Sequence, residues 1–558
     1  MKKNRNYIPQ TASIAKDDLM FIIILGLWII IMLYFDPKIL RYLRGNTSLS
    51  VLIPVLSFIF CINMLWLFGI YHLVISFFSV FVARPQKIGH DVGAGRSPAV
   101  AVLYLVMNDF REEAVLSCLN QRYDNFDIFI LDDSTDCDCK DKVDCFSSVH
   151  EKIKLIRRTT RENFKAGNLN NALKLIHKQY DYIAISDSDG ILPSEFIEKL
   201  MPYFSLNKNI GFVQAKQIWN EKQKSAFAQD LGMNTDVHWN YYVPAKDGFG
   251  FVMFYGHGAI IRTDVWAEVN GFPDSITEDI VFSSIIREKG YFGVFAPDVI
   301  CLEDFPSDYK SFRIRNERWI KGTTEYLFRW YPKLLFSRNV TWFEKLDVLI
   351  SAGILLQPFI FIYFLIVVSV ILPLTSKFFN LYIPLVATFS PGNATVATFL
   401  GGFYFHSKWT WDFFLVMTVT AFAQFASLSM RVLYQPIRVI RYVGAFMFVC
   451  LASSIASFVN ILTLLITRRT RFLVTGVKDR KDTLEHKVII FFEIIFSLVF
   501  VYSVFSTGNV WLMTVVIAVL LNPLVYKLEW DSAFLGVVTY IPFILILAIL
   551  LLLCSSIG

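Results

Sequence analysis

Apolar runs long enough to cross the roughly 30 Å hydrocarbon core of a bilayer flank one long polar insert, and no other feature constrains this chain so tightly. They lie at 19–35 and 50–82 before the insert and at 346–373, 409–430, 443–466, 487–505, 508–526 and 536–556 after it. In lipid every backbone N–H and C=O must be paired within the protein, so these runs predict helices. Hydrophobic residues make up 55% of the 558, too many for an ordinary soluble protein, yet the insert carries charges and turn signals throughout. Two architectures must coexist. The first run follows a polar opening with Lys2, Lys3, Arg5 and Lys16 and lacks a small-residue cleavage site, so it reads as a retained span and not a signal peptide. Two spans return the chain to its starting side, although Lys38, Arg41 and Arg44 in the loop between them weaken any orientation drawn from basic residues alone. The net charge of +6, from 53 basic and 47 acidic residues, is modest and argues against nucleic acid as a partner.

These boundaries divide the chain into a tail with two transmembrane helices (1–94), a globular domain (95–311), amphipathic interface helices (312–345), transmembrane or interfacial helices (346–466), a basic loop (467–486) and C-terminal transmembrane helices (487–558). Two of the apolar runs are ambiguous. The run 376–400 is broken by Ser390, Pro391, Gly392 and Asn393, and 436–466 opens on a basic-aromatic stretch, so either is spanning or re-entrant. Within the globular domain, 99–107, 126–131 and 182–185 are short runs of β-formers, separated by helical stretches at 112–120 and 168–177. That alternation predicts an α/β domain with a mostly parallel sheet and ligands at the strands' C-terminal ends. The segment 312–335 is amphipathic and aromatic, as suits a helix lying on the membrane surface. No internal repeat is present.

Cys137, Cys139 and Cys145, followed by His150, are zinc-ligand types. Their C-x-C-x5-C spacing is not a common structural one, so a polar surface loop with free thiols is the simpler reading beside zinc.

Two acidic clusters follow predicted strands: Asp132 and Asp133, then Asp187-Ser188-Asp189. A pyrophosphate leaving group needs a hard divalent cation, and Mg2+ or Mn2+ is held by one or two carboxylates plus phosphate oxygens, a geometry Asp-x-Asp supplies. A third cluster is Thr277-Glu278-Asp279. A carboxylate there can act as the general base that inverting glycosyl transfer requires, or Thr277 can simply cap a helix. On a helix, Arg315, Arg318 and Trp319 share one face, joining cations to a flat indole that suits a sugar ring; a membrane-interface helix would look the same.

In this order, Asp132 and Asp133, Phe164-Lys165-Ala166-Gly167-Asn168-Leu169-Asn170, Asp187-x-Asp189, Thr277-Glu278-Asp279 and Arg318-Trp319 resemble the processive family 2 glycosyltransferases, among them cellulose, hyaluronan and chitin synthases. Phe472-Leu473-Val474-Thr475-Gly476-Val477-Lys478 resembles the gating loop of cellulose synthases. The resemblance implies a GT-A-type cytosolic domain inserted in a polytopic membrane domain, Mg2+ or Mn2+ as cofactor, and a UDP-sugar donor. It places Asp132 or Asp133 and Lys165 at the nucleotide, and Asp187 at the diphosphate and, with Asp189, at the metal. Arg318, joined by Arg315, would meet the diphosphate. Asp279 would be the base with Glu278 beside it, and Trp319 the acceptor platform. Phe472, Val474, Thr475 and Lys478 would close over the donor.

Three features depart from the family. Arg315 stands where its pattern has glutamine, Asn108 and Asp109 stand in a strand end expected to read differently, and Lys478 is displaced by one position. The expectation is a processive inverting synthase in the plasma membrane that builds β-glucan from UDP-glucose and passes the nascent chain through its own spans. Chitin, hyaluronan or mannan synthesis, single-sugar transfer to a lipid, and a transporter with a regulatory insert are the alternatives. Membrane lipids, a second copy of the chain or envelope export proteins would be further partners.

Overall fold

The computed structural model describes residues 18–41, 48–82, 97–372, 374–375, 410–467, 484–507, 511–527, 538–542, 544–545 and 548. Its insert is built on one seven-stranded sheet: β1 (Val100–Val106), β2 (Phe126–Asp132), β3 (Ile153–Ile156), β4 (Tyr182–Ser186), β5 (Ile210–Trp219), β6 (Ala259–Arg262) and β7 (Phe292–Glu303), in the order β3-β2-β1-β4-β6-β5-β7. β1 pairs in parallel with β2 and β4, β2 with β3, and β5 with β7; β6 alone runs against its neighbours β4 and β5. The sheet is thus mostly parallel, as the β/α alternation predicts.

β1 is apolar at every position because helices cover both its faces. Its alternate residues divide between two cores. Val100, Val102, Tyr104 and Val106 join Val115 and Val143 on one face, while Ala101 and Leu103 join Leu169 and Leu173 on the other. Truncating Leu103 to alanine removes a fully buried side chain, at a cost of about 2–5 kcal/mol.

The strand order fixes where a ligand can bind. From β1 the chain moves outward to β2 and β3, then crosses back to place β4 on β1's other side, so a crevice opens at the carboxyl ends of β1 and β4. Register aligns those ends: Val106 lies opposite Asp132, and Tyr104 opposite Ser186.

Among the described residues four helices are long and apolar enough to cross a membrane: Leu19–Leu40, Leu49–Phe81, Pro436–Ile466 and Lys487–Val504. The expected span at 346–373 is a pair, Trp342–Leu355 and Gln357–Ile371, bent by 58°. Pro358 explains the break, because a proline in the first turn is tolerated while its ring blocks continuation from the preceding helix. The segments expected at 409–430 and 508–526 contain apolar helices, Leu415–Leu428 and Leu512–Val525, that are shorter than a full span. The basic-aromatic stretch from Pro436 is continuous with the helix behind it, so that run is long enough to span. Residues 376–400, the loop 468–483 and most of 536–556 lie outside the described residues.

Buried ion pairs join the insert to these helices. Arg287 meets Glu344 through Nε–Oε1 at 2.9 Å and Nη2–Oε2 at 3.0 Å. Lys246 donates to both oxygens of Asp347 at 2.8 and 2.9 Å, and Asp347 also accepts from Tyr71 of the second helix at 2.6 Å. Such pairs are costly to break singly, since the surviving charge is left buried.

Candidate active site

The chemistry-bearing residues gather where the strand order opens its crevice. β4 ends at Ser186, and Asp187 follows; its Oδ1 accepts from Lys165 Nζ at 2.6 Å. Lys165 is aimed there by the start of the helix Phe164–Ile176, which begins earlier than the sequence pattern suggests. Asn163 and Phe164 lie in the left-handed region, at φ 56° and 48°, and turn the chain sharply into the helix. Arg158 holds this turn by donating to the Glu162 and Phe164 carbonyls, and a Cβ on Gly167 would collide with the Glu162 carbonyl. Asn168 donates to the Leu131 carbonyl at 3.2 Å, tying the helix to β2. Asn170 accepts from Phe272 N and donates to Phe272 O, both at 2.8 Å, tying it to the segment before Thr277. The Lys-Ala-Gly-Asn-Leu-Asn motif therefore works largely as scaffolding, with Lys165 the member that faces the crevice.

Glu278 and Asp279 open the helix Glu278–Glu288 beside this cation. Lys165 Nζ and Asp279 Oδ2 lie 3.4 and 3.7 Å from the point where a Cβ on Gly256 would stand. Thr277 holds the N-cap position, but its hydroxyl makes no cap bond; it donates to the Gly322 carbonyl at 3.3 Å instead. That contact seats the helix against Tyr309–Arg329, the helix of Arg315, Arg318 and Trp319. Gly322 is required here, because any Cβ would run into the Thr277 side chain.

The electrostatics follow from burial and close charge. Asp187 stays below the usual carboxylate range despite its burial, because Lys165, His257 and Arg318 favour its ionised form. Burial and the charge of Asp187 push Asp189 up to about 6. Burial, with the charge of Asp279, raises Glu278 to about 7, and burial raises Asp279 as well. Arg318 lies in the field of Glu278, Asp187 and Asp279, with burial lowering its basicity.

The donor set suits a hard divalent ion. Asp187 and Asp189 bracket Ser188, whose hydroxyl donates to Asp109 at 2.6 Å and so fixes the turn. No hydrogen bond reaches the Asp189 carboxylate among the described residues, where no three His, Cys, Asp or Glu side chains converge as a closed metal site either. One or two carboxylates completed by ligand phosphates is the arrangement Mg2+ and Mn2+ prefer.

Other predicted residues stand apart from this cluster. Asp132 accepts from Arg157 Nε at 2.7 Å and from Ser134 N at 2.8 Å, and Asp133 accepts from Arg158 Nε at 2.9 Å and Nη2 at 2.6 Å. Both are engaged at the end of β2 by arginines that follow β3. Arg315 stacks over Phe305 at 4.6 Å and over Trp319 at 4.7 Å, and burial lowers it to about 10. Trp319 remains 40% exposed. Asn108, in the left-handed region at φ 63°, caps the turn after β2, its Oδ1 accepting from Thr135 N at 2.7 Å and Asp136 N at 2.9 Å. Phe472, Val474, Thr475 and Lys478 lie outside the described residues. Cys137, Cys139 and Cys145 are on the helix Cys137–Ser148, not in a loop; Asp136 caps it by accepting from Cys139 N at 3.2 Å.

Sequence reasoning missed His257 and Glu303, which pair at 3.2 Å beside the acidic cluster. Gly256-His257-Gly258 between two apolar runs is a turn signal, but nothing in the sequence joins it to the end of β7.

A family model described as "Glycosyltransferase like family 2" matches residues 103–322. Glucomannan 4-beta-mannosyltransferase 9 of Arabidopsis thaliana is 27% identical over 380 residues, covering 63% of this chain and 70% of its own. Probable glucomannan 4-beta-mannosyltransferase 10 of the same plant is 26% identical over 380 residues, covering 64% and 68%. Among solved structures, a mannosyltransferase from Pyrobaculum calidifontis in complex with GDP-Man and Mn2+ gives a TM-score of 0.46 at 14% identity, over 76% of this chain and 100% of that one.

Proposed function

We propose that this chain, which carries a family 2 glycosyltransferase domain, is a membrane-embedded inverting synthase that transfers a hexose from a nucleotide sugar to a growing β-linked polysaccharide. The observation that carries the reading is the meeting of Lys165, Asp187, Glu278, Asp279 and Arg318 at the crevice between β1 and β4. Lys165 and Arg318 are placed to hold a diphosphate, and Trp319, steadied by Arg315, offers an exposed ring to an acceptor sugar. Asp279 accepts the acceptor hydroxyl's proton as that oxygen bonds to the anomeric carbon and the bond to the diphosphate oxygen breaks. Asp187 and Asp189 would hold a divalent cation, which supplies charge neutralisation to the departing diphosphate. Asp132 and Asp133, through their arginines, shape the nucleotide end of the crevice. The 472–478 segment acts as the loop that closes over the donor, with the catalytic domain on the cytosolic face, where nucleotide sugars are made.

Two relatives named as glucomannan mannosyltransferases, at 27% and 26% identity, favour a mannosyl donor over the UDP-glucose implied by the loop resemblance. The glucosyl reading stands second, supported by the match of Phe472, Val474 and Thr475. Labelled GDP-mannose, UDP-glucose and UDP-N-acetylglucosamine, each supplied alone with Mn2+ to the purified full chain, separate the readings. Polymer from GDP-mannose is expected. Polymer from UDP-glucose alone would restore the glucan reading, and product from none of the three would contradict a synthase.

A further inference from the structure

Resting on the nucleotide-sugar reading, the geometry points to His257, braced by Glu303, as a residue that binds the donor's diphosphate beside Lys165 and Arg318. The backbone around it is built for position. Gly256 and Gly258 sit at φ +89° and +61°, a conformation that L side chains rarely adopt, so the imidazole projects from a tight turn between them. Fully buried Gln214 secures that turn: its Nε2 donates to the carbonyls of His257 and Gly258 at 3.0 Å each, and its Oε1 accepts from Tyr255 N at 3.0 Å. Gly258 N donates to the Ile185 carbonyl at 2.7 Å, which bolts the turn to β4 two residues before Asp187.

The side chain is directed with equal care. His257 Nε2 lies 3.2 Å from Glu303 Oε2 at the end of β7, and both side chains are largely buried. No hydrogen-bond partner of Nδ1 is found among the described residues. One nitrogen is thus engaged by a carboxylate, which leaves the other for a ligand. Although burial opposes it, the hydrogen bond to Glu303 favours the ring's protonated form. Lys165 reaches the same turn, its Nζ 3.4 Å from the point where a Cβ on Gly256 would stand, so an amine and an imidazole converge there. A diphosphate, whose charge neither Lys165 nor Arg318 can match alone, is the anion whose chemistry fits.

The test measures binding by the full chain in detergent, with saturating Mn2+, for GDP against GMP and for UDP against UMP. For the base that the wild type prefers, His257→Gln should weaken the diphosphate by about tenfold or more and leave the monophosphate unchanged, with Glu303→Gln giving a smaller loss of the same kind. Equal losses for diphosphate and monophosphate would mean that the turn is merely structural. An unchanged diphosphate affinity, or a shift only in the Mn2+ concentration needed for binding, would also overturn the assignment. A wild type that binds neither GDP nor UDP would remove the nucleotide-sugar reading itself, and the inference with it.

Discussion

Asp279 can accept a proton only when ionised, and its burial raises the pH at which that happens. The acid limb of the rate profile should therefore lie above the ordinary aspartate range. Lys165 opposes that rise, so Lys165→Met should move the limb to still higher pH, because a carboxylate without its neighbouring cation holds its proton longer. Initial rates at saturating donor, followed from acid to neutral pH, check both position and direction; a limb that moves down would contradict the assignment. Asp189→Asn should lower activity by about two orders of magnitude and raise the half-saturating Mn2+ concentration. At this scale the sequence was most legible where a carboxylate adjoins an apolar run: Asp187 and Asp189 follow one that announces a strand, and Asp279 precedes one that announces a helix. His257 was hidden because its significance depends on Glu303, 46 positions later on a strand that no sequence pattern singled out.

Elements hold these residues through a few close approaches. The helix of Asp279 is fixed to the membrane half by Arg287 and Glu344, and Glu344 also completes a capping box with Thr341 at the start of Trp342–Leu355. Arg287→Met alone should destabilise the protein by about 3–5 kcal/mol, while the double change Arg287→Met with Glu344→Met should recover much of it, as seen in thermal unfolding in detergent. Equal losses in the single and double variants would show that the pair matters for more than charge balance. Strands β1, β2 and β4 were readable because helices cover both faces and leave continuous apolar runs. β5 and β7 carry polar residues such as Gln214, Gln217 and Glu303 that fasten turns and line the crevice, and that interruption of the apolar pattern disguised them. The role of Thr277 changed for a similar reason: its hydroxyl bonds a distant carbonyl on Tyr309–Arg329, which no local spacing encodes.

At the scale of the molecule, the α/β insert is locked onto apolar helices by polar networks at the junction. The helix Tyr309–Arg329 is joined to the apolar helices: Arg313 Nη2 lies 3.1 Å from Glu493 Oε1, Asn522 donates to the same oxygen at 2.8 Å, and Tyr309 donates to Asn522 at 2.8 Å. Charges in a span are costly and persist where they have a task, here the orientation of the helix that presents Arg318 and Trp319. Glu493→Gln should leave nucleotide affinity intact yet shorten the polymer, as sized by gel filtration of labelled product; full-length product would dissociate this network from elongation. The alternation of apolar runs and a charged insert made the two-part architecture legible, whereas the single span expected at 346–373 passed over the break that Pro358 imposes. The proposed role of Asp279 as the base of glycosyl transfer is tested most directly by comparing wild type with Asp279→Asn for both donor binding and labelled polymer formation. Retained nucleotide binding with polymer formation abolished is expected of the variant; polymer formed at the wild-type rate would contradict that role.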